Sequence, residues 1–150
     1  MSDAPLLQVQ NLKKYFPIKA GVFRRTVGWV KAVDGVSFEV LPGETLGIVG
    51  ESGCGKSTLG MTIMRLYEPT AGNIVFQGQN ISSLPASQLK SIRRNIQMIF
   101  QDPFTSLDPR MHIGSIVEEG MKVHRMASSP EVRRRALDLL EKVGLGAEYF

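Results

Sequence analysis

Gly50-Glu51-Ser52-Gly53-Cys54-Gly55-Lys56-Ser57 is the stretch whose reading decides the fold. It satisfies the pattern G-x-x-x-x-G-K-[ST]. With glycine at about 7% of residues in general, a chance match in a chain of this length is on the order of 1%. The flanks strengthen the reading. Leu46-Gly47-Ile48-Val49 has no polar face, which predicts a strand buried on both sides in a parallel sheet. After the glycines, Leu59, Ile63 and Leu66 are spaced for one face of a helix. Strand, glycine loop and helix in that order are the setting of a phosphate-binding loop, and they predict an α/β fold.

The residue types follow from the chemistry of a triphosphate, a dense cluster of oxygen acceptors that needs many donors in a small space. Gly50, Gly53 and Gly55 let the backbone curl so that successive N–H groups of the octet, including those of Glu51, Ser52 and Cys54, point inward. The following helix adds its unpaired first-turn N–H groups and the positive end of its dipole. Lys56 brings a full charge to the β- and γ-phosphates, Ser57 offers a hydroxyl to Mg²⁺, and Thr58 is placed to donate to a further phosphate oxygen. A glycine-rich turn that binds nothing would not need Lys-Ser at this offset. Cys54 reads as a small filler in a variable slot.

Working outward, residues 6–12 alternate loosely and predict a first strand. Residues 17–28, with Pro17, Gly21, Gly28 and Arg24-Arg25, read as an exposed loop. Two short strands follow at 30–33 and 36–40, separated by Asp34-Gly35, a dipeptide suited to a type I′ turn. In the second of them Val36, Phe38 and Val40 share one face and Ser37 and Glu39 the other. Leu41-Pro42-Gly43-Glu44 is arranged as a type II turn. Further on, 73–77 reads as a strand, 86–95 as a helix with Pro85 near its start, and 96–100 as a strand. Helices are expected at 113–124 and 131–143, the second with Val132, Ala136, Leu139, Leu140 and Val143 on a stripe, Ser129-Pro130 at its start and Gly144 at its end. The chain therefore divides at about residue 101 into an α/β lobe and the beginning, 102–150, of a helical one.

Bulk properties narrow the class. In 150 residues no apolar run approaches the roughly 18 that would span a bilayer, and Met1-Ser2-Asp3-Ala4-Pro5 does not open a secretory signal. A single cysteine excludes an internal disulfide and fits a reducing compartment. The net charge of +4 is dispersed in pairs, and the one longer run, Arg133-Arg134-Arg135, reads as a solvated helix face, so nucleic acid is not an expected partner.

A phosphate loop alone does not separate kinases, GTPases, helicases and transport ATPases. The rest of the chain resembles the ATP-binding cassette (ABC) proteins. Val33-Asp34-Gly35-Val36-Ser37-Phe38 and Pro42-Gly43-Glu44 look like that family's approach to the loop, and Glu68-Pro69-Thr70-Ala71-Gly72 like its segment after the loop's helix. Gln97-Met98-Ile99-Phe100-Gln101-Asp102-Pro103 resembles its Q-loop. Phe104-Thr105-Ser106-Leu107-Asp108-Pro109-Arg110 resembles the subfamily that energises di- and oligopeptide uptake, with nickel uptake close by, and Glu51-Ser52-Gly53-Cys54 and the insertion at 17–28 point the same way.

The resemblance implies ATP and Mg²⁺ as cofactors, with Ser57 and Gln101 on the metal and Gln101 linking the site to a transmembrane partner. It implies an aromatic residue stacked on adenine, for which Phe16 aligns best, Tyr15 next and Trp29 more weakly. His112 and His124 do not match the family's switch histidine. The implied partners are transmembrane permease subunits, a second ATPase subunit in a head-to-tail dimer and, indirectly, a periplasmic or extracellular peptide-binding protein, all at the cytoplasmic face of the inner membrane. The family's signature segment, its magnesium-binding Asp and its catalytic Glu have no match in these 150 residues, so the chain reads as a fragment without a catalytic carboxylate, incomplete in its sheet and inactive alone. The alternatives are a non-catalytic nucleotide-binding module and another phosphate-loop enzyme, such as a kinase or an ABC ATPase of DNA repair.

Overall fold

The computed structural model describes residues 4–102 and 107–150, and the chain falls into two compact units, Met1–Met98 and Ile99–Phe150. The first unit is built on a four-stranded antiparallel sheet of order β2-β1-β3-β4, with β1 at Leu7–Ala20, β2 at Arg25–Val40, β3 at Ala71–Phe76 and β4 at Gln79–Asn80. Val9, Leu12, Val33, Ile74 and Phe76 are buried against Leu59 and Ile63 of α1 (Lys56–Ile63), Leu89 of α2 (Ala86–Ile92) and Ile81. Val9 and Leu12 are three apart, a spacing that would ordinarily put them on opposite faces of a strand. A register shift between them, at Asn11 with φ 48°, turns both to the core, and asparagine is among the residues that tolerate this conformation.

Several elements differ from the sequence expectation. The loop expected at 17–28 is the end of a long hairpin: β1 and β2 stay paired through Pro17↔Trp29, Ile18↔Gly28, Lys19↔Thr26 and Ala20↔Arg25, leaving only 21–24 as the turn. Pro17 is tolerated there because β3 pairs with β1 no further than Lys13↔Ala71, so this part of β1 is an edge. Asp34-Gly35 is not a hairpin turn. β2 runs through it, with Leu12↔Val36 followed by Lys13↔Asp34, so that Gly35, at φ 80°, is the extra residue of a bulge. The 36–40 alternation holds, with Val36 and Phe38 packed on the core and Ser37 and Glu39 exposed. So does the turn at 41–44, where the Glu44 N–H donates to the Leu41 carbonyl at 3.1 Å.

The strands expected at 46–49 and 96–100 are not formed, and Val49 is 93% exposed. A parallel strand of this kind is held by neighbours hydrogen-bonded along its edges, and among the described residues none pairs with either segment. Leu66 also departs from expectation: α1 ends at Ile63, and Leu66 lies beyond it, exposed.

The second unit contains α3 (Ile113–Val123), α4 (Ser129–Lys142) and a 3₁₀ turn (Ala147–Tyr149). Met121, Val132 and Ala136 form its core, flanked by Val117, Ala127 and Phe150. Pro130 lies in the first turn of α4. Gly144, at φ 79°, ends it, with the Leu145 N–H returning to the Leu140 carbonyl at 3.0 Å. The expected apolar stripe is narrower than its spacing implied: Leu140 is 4% exposed, but Leu139 is 47% exposed and Val143 is also open. The arginine run lies on the exposed side. Arg134 and Arg135 both donate to Glu131 and hold its carboxyl down at about 2, and the Arg133 guanidinium sits 4.3 Å from the Phe150 ring centroid.

Two outcomes follow. Leu140→Ala should cost about 2–5 kcal/mol in chemical denaturation, and Leu139→Ala no more than about 0.5 kcal/mol, although the two are adjacent on one helix. Glu131 is held below its ordinary value of 4.5, so its pairs stabilise α4 above that pH and the stabilisation is lost as pH falls towards about 2. The helical signal of the parent should weaken through that window, and Glu131→Gln should remove this part of the pH dependence, as read by circular dichroism.

Candidate functional site

The glycine loop enters α1 at Gly55, whose φ is 98°. A Cβ there would lie 2.2 Å from the Ala32 carbonyl oxygen on β2, so backbone conformation and close approach both demand glycine. The loop folds tightly on itself, with the Cys54 N–H donating to the Glu51 carbonyl at 3.3 Å and Gly53 at φ 80°. The Lys56 ammonium curls back over it, donating to the carbonyls of Gly50 and Glu51 at 2.7 Å each, and lies 3.5 Å from Cys54 Sγ. An ammonium has three donors, so these partners hold the charge in place, and the long contact to the weakly accepting sulfur is the one an incoming oxygen would most easily replace.

The first α-helical bond runs from the Leu59 N–H to the Gly55 carbonyl at 2.8 Å, so the N–H groups of Lys56, Ser57 and Thr58 precede the closed turns of α1. Leu59, Thr62 and Ile63 are buried, and the Thr62 hydroxyl donates to the Thr58 carbonyl at 2.6 Å. Ser57 is exposed and Thr58 half-buried. Core burial thus aims the open end of α1, its three N–H groups, the Ser57 hydroxyl and the Lys56 charge at one region. Such an arrangement is suited to a polyanion.

The aromatic candidates are held differently. The Tyr15 hydroxyl donates to Asp34 Oδ1, which raises the phenol above its ordinary value and lowers the Asp34 carboxyl. Lys13 and Lys31 stand 3.6 and 3.5 Å from the same carboxylate. Phe16 has no such tie. Its ring meets Tyr67 edge-on at 5.4 Å and 87°, and the Lys14 ammonium sits 4.8 Å from its centroid. Lys14 also donates to the Glu68 carbonyl at 2.9 Å. Sequence spacing did not point to Tyr67, which reaches Phe16 only because the segment after α1 returns to β1. Trp29 is exposed on the hairpin, opposite Pro17.

Gln101 is exposed and belongs to the second unit. Residues 103–106, which carry part of the peptide-uptake resemblance, lie outside the described residues. Beyond them Asp108 is clamped by Arg110 at 3.1 and 3.0 Å, which lowers the carboxyl. His112 and His124 stand at the two ends of α3. Among the described residues no group of three His, Cys, Asp or Glu side chains could hold a metal ion.

Comparison with known proteins places these observations. The chain is 57% identical over 141 residues to the oligopeptide transport ATP-binding protein AppF of Bacillus subtilis, covering 93% of this chain and 43% of that protein. It is 47% identical over 145 residues to the glutathione import ATP-binding protein GsiA of Salmonella paratyphi A, covering 97% of this chain and 23% of that protein. It thus spans less than half the length of either relative. Among solved structures, a dimeric ATP-binding cassette in a post-hydrolysis state, bound to ADP and Pi, superposes with a TM-score of 0.75 at 27% identity, over 95% of this chain and 59% of that one. The family model for the ABC transporter matches residues 33–149, and on that match the chain belongs to the ABC transporter family.

Proposed function

We propose that this chain is part of the ATP-binding subunit of a transporter that imports di- or oligopeptides, and that its glycine loop holds the triphosphate of Mg-ATP. The observation that carries the reading is the Lys56 ammonium, pinned over the loop by two carbonyls at 2.7 Å beside the open first turn of α1. Peptide as the cargo is supported by the names of the relatives and by the sequence around 101–110.

In the first unit the exposed Ser57 hydroxyl, beside Lys56 at the open end of α1, suits a magnesium ion that arrives with its nucleotide. Mg²⁺ takes one or two protein oxygens and fills the rest of its shell with phosphate and water; the Ser57 hydroxyl is the group the first unit would supply, and Gln101 is the further ligand that the family resemblance implies. When bound, the ion would offset charge on the β- and γ-phosphates. The chain's own residues grip and orient the triphosphate through Lys56 and through the N–H groups of the loop and α1. Phe16 is the residue we assign to adenine, because the Tyr15 hydroxyl is tied to Asp34 whereas the Phe16 ring is met edge-on by Tyr67 and approached by the Lys14 ammonium.

In this reading residues up to about 101 form the ATP-binding lobe and 102–150 begin the helical one. Hydrolysis by the whole subunit drives transport at the cytoplasmic face of the membrane, in a pair with a second ATPase subunit and against permease subunits, which an external binding protein supplies. The described residues include no helix long and apolar enough to cross a membrane. Permease subunits would provide the crossing.

Lys56→Ala should weaken Mg-ATP binding by about 1.5–3 kcal/mol in titration calorimetry, and unchanged affinity would remove the phosphate-loop assignment. Phe16→Ala should cost ATP roughly 1–3 kcal/mol yet leave inorganic triphosphate binding nearly intact. Should Tyr15→Ala give that pattern instead, adenine stacks on Tyr15 and the Asp34 bond is broken by nucleotide.

A further inference from the structure

Beyond Phe16 the β1–β2 hairpin pairs only with itself. From Pro17 to Ala20 it is a two-stranded ribbon of about 13 Å, at the usual rise per residue, before the turn at 21–24. A ribbon of two strands has no core to fill, so its apolar side chains are not explained by folding. The most open of them are at the turn, where Val22 is 95% and Phe23 84% exposed, while Ile18, Val27, Trp29 and Val30 are less open on the strands behind them.

The charges on the ribbon are of one sign. No acidic residue occurs between Lys13 and Val33, and the first one met along β2 is Asp34, at the hairpin's base. Lys31 is paired with Asp34, but among the described residues Lys19, Arg24 and Arg25 make no ion pair. Two open apolar side chains at a tip, with three unpaired cations immediately behind, match the layering of an anionic membrane surface. Apolar groups sit at the acyl boundary, and Lys and Arg reach headgroup phosphates just above it.

We propose that the tip of the β1–β2 hairpin is a lipid-docking device, inserting Val22 and Phe23 into the interface of an anionic bilayer while Lys19, Arg24 and Arg25 contact phosphate headgroups. A protein groove could take the apolar pair, but it would need acidic residues to match three cations, whereas an anionic leaflet supplies that charge whatever the orientation about the hairpin axis. The proposal does not depend on nucleotide binding, since none of these residues belongs to the glycine loop.

Co-sedimentation of the full chain with vesicles tests it. The chain should pellet with vesicles of equal parts phosphatidylcholine and phosphatidylglycerol, not with pure phosphatidylcholine, and less as salt rises. The double variant Val22→Ser/Phe23→Ser should lose about tenfold or more of the partition coefficient through its apolar contribution. Arg24→Glu/Arg25→Glu should lose at least as much, because each basic residue near a charged leaflet is worth roughly fivefold. Unchanged circular dichroism in both variants would show that the fold is intact, as expected for substitutions at an exposed turn. Equal binding to both vesicle types, retention by both folded variants, or a parent chain that ignores vesicles but captures detergent-solubilised permease subunits through Phe23 would each overturn the proposal.

Discussion

One backbone-to-backbone contact sets the position of everything at the glycine loop: Gly55 against the Ala32 carbonyl of β2. It fixes where α1 starts relative to the sheet. With eight residues, α1 is shorter than the roughly 12–15 that an isolated helix needs in water, so packing sustains it. Burial of Leu59 and Ile63, at roughly 1.5–3 kcal/mol for each fully buried side chain, is the main source of that support. Any side chain at position 55 would push the helix off β2 and withdraw these two residues from Val33 and Leu12. The loop geometry and the core are therefore one mechanical unit.

Within that unit the electrostatics are arranged against the chain's own comfort. A lysine at the N-terminal end of a helix meets the positive end of the dipole, which is unfavourable by itself. The carbonyls of Gly50 and Glu51 offset this by accepting two of the ammonium's three N–H groups. What remains is a positive region made of a held charge, a dipole end and several backbone donors.

The hairpin shows the opposite economy. β1 is a central strand up to Lys13 and an edge strand beyond it. Its first half carries Val9 and Leu12 into the core, while its second half contributes nothing to that core. The bulge at Gly35 and the Asp34 cluster with Tyr15, Lys13 and Lys31 lie at the changeover. Below this line side chains are selected by packing. Above it they meet solvent, and the composition changes to unpaired cations and open apolar groups. Segments with few buried contacts lie at the low-stability end of a fold, where binding elements are commonly found.

Features set by neighbours in sequence were legible before any coordinates. The glycine-rich turn into α1, the turn at Pro42-Gly43, the bounds of α4 at Pro130 and Gly144 and the helical period of α3 are of this kind, because each depends on dihedral preferences and contacts within a few residues. Tertiary structure decided whatever depends on a distant partner. Pro17 and Gly28 looked like loop residues and became strand because Trp29 and Ile18 faced them across a hairpin. Asp34-Gly35 had the composition of a turn and became a bulge because β1 continued alongside. Leu139 and Leu140 were equivalent by period, and only the packing of α4 chose between them. Phe16 aligned ahead of Tyr15 in sequence, but their different surroundings, Asp34 on the tyrosine hydroxyl and Tyr67 against the phenylalanine ring, came only from the fold. At 46–49 the sequence specified apolar character, but a strand is a property of pairs, and its backbone becomes one only where another strand supplies the matching N–H and C=O groups.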